Sequence, residues 1–161
     1  MAWRSLAVFD LDGTLTDTRH RLRFLERAPR DWDAFFAAAA DDPPLARGVA
    51  LAVEHAATSD LAYVTGRPEG LRGATRDWLG AHGLPPGELL MRRDGDRRPA
   101  RVTKPELLRR LARGREVAVV VDDDVLVCDA YRRAGFRVVH ADWMGTAPTV
   151  LEEAQENEGR T

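Results

Sequence analysis

Asp10 and Asp12 stand two positions apart at the end of a short apolar run, in the segment FDLDGTLTD. On an extended segment such residues face the same side, so both carboxylates point one way, and Gly13 lets the chain turn tightly around whatever they hold. Two carboxylates on one side repel each other unless a cation or a shared proton lies between them. A second acidic group, Asp122-Asp123-Asp124, ends another apolar run, VAVVV. Four or five converging acids describe the site of a hard divalent cation, and Mg²⁺ fits best because it keeps several waters and binds beside phosphate. Lys104 and Arg67 supply the positive charge that lets a phosphoryl group approach so many acids. The chemistry open to this set is phosphoryl transfer, with one carboxylate as nucleophile and another as general acid and base.

Each piece alone also has a plainer meaning. DxDG serves as an ordinary strand end and turn, Thr65 as a loop hydroxyl, Lys104 as a solvated charge at a helix start, and the three aspartates as a cap for the helix behind them. Their joint placement at successive strand ends favours the chemical reading, because four independent coincidences rarely coincide.

The elements that must position these residues follow from periodicity. The runs at 5–9, 61–65, 88–91, 116–121 and 136–140 predict buried strands. Between Thr16 and about Ala40 the spacing predicts two short helices, the second capped by Asp31, and further helices follow over 45–55, 69–82, 104–113 and 125–134. Pro105 suits the first turn of a helix opening at Lys104, and Gly83 closes the helix before it. From Thr146 one helical turn and a frayed polar end are expected. Alternating strands and helices mean an α/β fold, a parallel sheet with helices on both faces, where ligands bind beyond the carboxyl ends of the strands. Asp10/Asp12, Thr65/Arg67 and Asp122/Asp123/Asp124 all fall at such ends.

Composition narrows the field. A length of 161 residues suits one domain over 1–145, with a small helical cap or insert region in 15–60 and a tail over 146–161. Hydrophobic residues are 44% and charged residues 31%, and no apolar run approaches the ~20 residues of a membrane span. The N-terminus does not read as a signal peptide, so a cytoplasmic protein with no membrane partner is expected. One cysteine, Cys128, excludes a disulfide scaffold or a zinc ribbon and reads as a small core residue. A net charge of -2 excludes a bulk positive field for nucleic acid. Of the 24 basic residues only Lys104 is lysine, a compact ammonium on a flexible stem. Five arginines in 92–101 either face a substrate or are solvated. His20 lies near the expected site, as a substrate contact or a surface or helix-cap group, while His55, His82 and His140 lack ligand-like spacing. Trp32, Phe35 and Phe36 suit either helix packing or a base-stacking entrance.

In order, FDLDGTLTD, YVTGRP, VTKPELL and VVVDDD resemble the four motifs of the haloacid dehalogenase (HAD) superfamily of phosphatases, over about residues 5 to 143. The resemblance implies a three-layer Rossmann-like fold with at most a small helical cap. It implies that Asp10 is the nucleophile forming an aspartyl-phosphate, that Asp12 protonates the leaving oxygen and then activates water, and that Thr65 hydrogen-bonds the phosphoryl group. Lys104 would pair with nucleophile and phosphate, and Mg²⁺ would be held by Asp10, the backbone carbonyl of Asp12, Asp122 and Asp123.

A finer likeness is to the phosphatase domain of phage-type polynucleotide kinase/phosphatases. It rests on Arg21, eleven residues after Asp10, on Arg67 directly after Gly66, and on the segments TRDWL, LLMR, GDRRPARVTK and DDDVLVCDAYRRAG. It implies that Arg21, Gly66, Arg67 and Arg98 meet the substrate. Ala100 and Arg101 stand where that family usually has acidic residues, and Asp124 where it often has arginine, which leaves substrate identity open. No kinase domain is expected in 161 residues. Two substrates follow for such a phosphomonoesterase: a nucleic-acid 3′-phosphate end, or a small metabolite such as a nucleotide or sugar phosphate. A phosphate-binding pseudoenzyme is opposed by the competent residue at every catalytic position.

Overall fold

The computed structural model describes residues 3–145 and 149–161. Five parallel strands, β1 (Leu6–Phe9), β2 (Asp60–Pro68), β3 (Glu88–Arg92), β4 (Val117–Asp122) and β5 (Val138–His140), form one sheet in the order β3-β2-β1-β4-β5. The chain winds outward from β1 to β3 on one side and from β4 to β5 on the other. The order reverses between β1 and β4, where a doubly wound sheet opens a crevice at its carboxyl edge.

Alternation along β1 builds two cores. Ala7 and Phe9 face Tyr63, Trp78 and Leu79 on the side of α2 (Ala46–Ala56) and α3 (Arg72–Ala81). Leu6 and Val8 face Val64, Leu108, Val127 and Tyr131 on the side of α4 (Ala100–Ala112) and α5 (Val125–Arg133). Among the described residues no helix is long and apolar enough to cross a membrane.

Three segments differ from the sequence reading. Helix α4 begins at Ala100 rather than Lys104, because the carbonyl of Pro99 accepts from the amides of Val102 and Thr103 at 2.9 and 3.2 Å and starts the helix earlier. Lys104 therefore stands inside the helix, held by its backbone on both sides. The segment expected as two short helices is a 3-10 helix over Arg19–Leu25 followed by α1 (Trp32–Ala37), with Asp31 capping α1 by accepting from the amide of Ala34 at 3.0 Å.

The tail forms a helix rather than one turn and a frayed end: α6 spans Thr149–Glu158, whereas 146–148 lie outside the described residues. Leu151 and Ala154 pack against Leu25, Trp32, Phe35 and Phe36. Those aromatic rings are core, in mutual edge and stacked contact, rather than an open stacking surface.

Candidate active site

The carboxyl ends of β1 and β4 lie side by side, since the amide of Asp10 donates to the carbonyl of Val121 at 2.9 Å. That single backbone bond sets Asp10 next to Asp122. One carboxylate oxygen from each of Asp10, Asp122 and Asp123 lies within 4.8 Å of the other two. Opposite ligands of one Mg²⁺ span ~4.2 Å, at ~2.1 Å each, so the set is of the right size and is purely oxygen. Gly13, at φ 85, passes so close to the Asp123 carboxylate that a β-carbon there would collide with it. Burial, and then the neighbouring Asp10, push the Asp122 carboxyl up to about 7 against the pull of Lys104, and burial, Asp10 and Asp122 raise Asp123. Like charges crowded in this way are what a divalent cation relieves, so these residues fit one.

Lys104 reaches this cluster from α4. Its Nζ donates to Asp10 Oδ1 at 2.9 Å and to Asp122 Oδ2 at 2.7 Å, with the side chain almost fully buried. Burial disfavours its charge, yet Asp10 and Asp122 outweigh that and hold the ammonium well above its usual range. Thr14 Oγ1 donates to Asp10 Oδ2 at 3.2 Å. Both oxygens of Asp10 thus have a donor and a fixed direction.

Asp12 belongs to a different network. Its Oδ1 accepts from Thr16 at 3.0 Å, from Arg21 at 2.8 Å and from Arg67 Nε at 3.1 Å. Both arginines turn also to Asp42, which takes Arg21 bidentately at 2.8 and 2.7 Å and Arg67 at 3.4 Å. Arg21 is 0% exposed and Arg67 2%, so each guanidinium is fully committed inside the protein. Arg21 also lies over the Phe35 ring, 4.2 Å from its centroid. Burial raises the Asp12 carboxyl, but Arg67 and then Arg21 overcome this and hold it well below the usual carboxylate range.

Thr65 ends the regular part of β2, and its Oγ1 accepts from the Arg67 amide at 3.1 Å, which leaves the hydroxyl proton to donate elsewhere. The β2–β3 register slips between Thr65 and Pro68, and this irregularity turns Arg67 toward Asp12. Gly66 is covered by the main chain of Thr161, with no space for a β-carbon.

The three aspartates at the end of β4 divide their work. Asp122 meets Lys104, Asp123 joins Asp10, and Asp124 caps α5 by accepting from the amides of Leu126 and Val127 at 2.8 and 3.2 Å. Cys128 is buried, as expected of a core residue.

Of the residues expected from sequence, Asp10, Asp122, Asp123 and Lys104 form one cluster, and Asp12, Arg21 and Arg67 form another. Arg98 is in neither. It is exposed and neutralised by Asp96 and Glu106, at 2.9 and 2.8 Å. Arg92 is a wedge rather than a loop charge: its Nε donates to the Gly66 carbonyl at 2.9 Å and its Nη1 to the carbonyls of Asp96 and Arg98. The sequence does not single out Asp42, which stands in the segment DDPP just past the two short helices expected there. Its only local signal is a carboxylate beside prolines; its partners lie 21 and 25 residues away. His20 caps this network from outside, its Nε2 2.7 Å from Asp42 Oδ1.

Solved structures share this architecture. A chain of the Pnkp1/Rnl/Hen1 RNA repair complex superposes with a TM-score of 0.71 at 23% identity, over 85% of this chain and 42% of that one. The magnesium-bound HAD-hydrolase YfnB from Bacillus subtilis gives 0.63 at 14% identity, covering 92% and 93% of the two chains. A class C acid phosphatase from Bacillus anthracis with tungstate bound gives 0.60 at 16%, over 95% and 78%. The fold is that of the HAD-like hydrolases, α/β with a Rossmann-like parallel sheet. More narrowly, the model of the polynucleotide kinase PNKP phosphatase domain matches residues 4–143, and the chain belongs to that family of phosphatases. It spans less than half of the repair-complex chain. No curated protein matches it.

Proposed function

We propose that this protein is a Mg²⁺-dependent phosphomonoesterase that removes the phosphate from a nucleic-acid 3′ end through an aspartyl-phosphate on Asp10. The observation that carries the reading is the pair of donors on Asp10, Lys104 and Thr14, which leave a buried carboxylate aimed and charge-compensated at the mouth of the sheet. Family membership supports the phosphatase chemistry, and the likeness to a chain of an RNA repair complex supports a nucleic-acid end.

In the first step an oxygen of Asp10 bonds to phosphorus while the bond from phosphorus to the 3′-oxygen breaks, and Asp12 gives that oxygen a proton. In the second, Asp12 takes a proton from water as the water oxygen bonds to phosphorus, and the bond to Asp10 breaks, releasing phosphate. Mg²⁺ bound by Asp10, Asp122, Asp123 and, following the resemblance, the backbone carbonyl of Asp12 supplies neutralising charge for phosphoryl oxygens. Thr65 donates its free hydroxyl proton to one of those oxygens. In the free chain Asp12 is a carboxylate gripped by two arginines, a poor acid. Phosphate entering beside Arg67 draws that cation to itself and lets Asp12 hold a proton.

The test is phosphate release from a 3′-phosphorylated oligonucleotide, with Mg²⁺ and with chelator. Turnover with Mg²⁺ alone supports the proposal. Turnover of free nucleotides or sugar phosphates but of no oligonucleotide moves the substrate to a small metabolite.

A further inference from the structure

Along the outer flank of β3 and α4 runs a groove of about 310 Å³, lined chiefly by Arg92, Arg93, Arg98, Thr103, Arg110 and Arg113, with Asp96 and Glu106 on its rim. Arg92 is buried and Arg98 is paired with the two carboxylates, so the positive surface of the groove comes from Arg93, Arg110 and Arg113, on a chain whose net charge is -2. Among the described residues Arg93, Arg110 and Arg113 have no carboxylate partner, and all three are exposed. With no carboxylate to neutralise them, these are free to meet an anion.

Two residues of the groove wall connect it to the catalytic machinery. Arg92 holds the carbonyl of Gly66, next to Thr65, and Thr103 immediately precedes Lys104. Thr103 is buried there with a hydroxyl that has no hydrogen-bond partner, at the wall of the groove. A buried hydroxyl left unpaired is costly, so a polar group reaching that part of the wall gains by pairing with it. From Thr103 to Arg113 the chain rises ~15 Å, long enough to run beside a few consecutive phosphates of one extended strand. Among the described residues no aromatic ring lines the groove, so it has phosphate contacts to offer and no base stacking.

We propose that this groove binds the sugar-phosphate backbone of a single nucleic-acid strand leading away from the 3′ end held at Asp10. The inference rests on the nucleic-acid reading of the substrate and adds where the polymer lies. Binding is indifferent to sequence, graded by length and sensitive to salt, because each phosphate contact releases condensed counterions.

The experiment measures KM for 3′-phosphorylated oligonucleotides from one to about eight nucleotides long, with the double variant Arg110→Glu and Arg113→Glu beside the natural chain. KM is expected to fall with length over the first few nucleotides and then level. The variant is expected to raise KM for the longest substrate about tenfold and to flatten the dependence of log KM on log salt by ~1.4, at ~0.7 per contact on a single strand. Its turnover of a nucleoside 3′-phosphate is expected to be unchanged, which also shows that it folds. A variant with the natural length and salt dependence overturns the groove, as does a natural chain whose KM ignores length, and either result leaves the phosphatase reading standing. Turnover of the mononucleotide with none of any longer oligonucleotide overturns the nucleic-acid reading itself, and the groove with it.

Discussion

Asp42 is the residue whose replacement tests the arginine network most sharply. Asp42→Asn removes one negative charge from a buried set in which Arg21 and Arg67 share Asp12 and Asp42, with Arg21 held bidentately at 2.8 and 2.7 Å. The amide keeps one acceptor, so stability is expected to fall by about 3 kcal/mol, the lower end for breaking a buried ion pair. For a chain of this size that is ~6–12 °C in Tm. With Asp42 neutral, both arginines turn more fully to Asp12, and since Arg67 and Arg21 already hold its carboxyl low, its proton affinity falls further. General acid catalysis is worth about 10²–10⁴-fold, and losing part of it slows a step that needs Asp12 as acid by about 10–100-fold. The assay compares a 3′-phosphorylated oligonucleotide, whose leaving alkoxide needs a proton, with an aryl phosphate whose phenolate leaves without one. In single-turnover release of the leaving group, which reports the first step alone, the oligonucleotide is expected to slow about 10–100-fold and the aryl ester to change little, while the hydrolysis step, where Asp12 is the base, slows for both. Equal losses in that first-step rate, or none on either substrate with Tm unchanged, refute the role given to Asp42.

Further outcomes follow from the same geometry. Lys104→Arg is expected to lose most turnover while circular dichroism shows the fold intact, because a planar guanidinium cannot sit as a point charge between Asp10 and Asp122. Mg²⁺ at about 100 times its Kd is expected to add ~2.7 kcal/mol, or ~5–11 °C in Tm, and Asp123→Asn to abolish most of that gain. Leu151→Asp is expected to release α6 from the aromatic cluster, read as rapid proteolytic nicking within 149–161 while the rest of the chain stays resistant.

What the sequence reveals and what it conceals divide along physical lines. The strands and the acids at their ends are legible because buried parallel strands read as apolar runs and stop abruptly at Asp10 and Asp122. The splitting of Asp122-Asp123-Asp124 into lysine partner, cluster carboxylate and helix cap is not legible, since all three readings use the same residue type. Asp42 is hidden for another reason: its partners are brought to it by the fold, and DDPP carries no periodicity. Helix α6 escapes because its buried face is only Leu151 and Ala154 beside half-buried Val150, and the surface that receives it comes from Leu25 to Phe36. The five arginines of 92–101 look alike in the sequence, yet Arg92 is a buried wedge, Arg98 and Arg101 are paired with carboxylates, and Arg93 is free for an anion. Burial, which sorts them, is a property of the assembled sheet edge.

The covalent step at Asp10 is open to direct measurement. Wild-type protein is mixed with Mg²⁺ and an oligonucleotide carrying a radiolabelled 3′-phosphate, quenched in acid within one turnover, and digested for mass mapping. Label on the peptide containing Asp10, with none in Asp10→Asn and no phosphate released by that variant, is the result expected of an aspartyl-phosphate enzyme. Phosphate release that persists in Asp10→Asn, or label on any other residue, contradicts it.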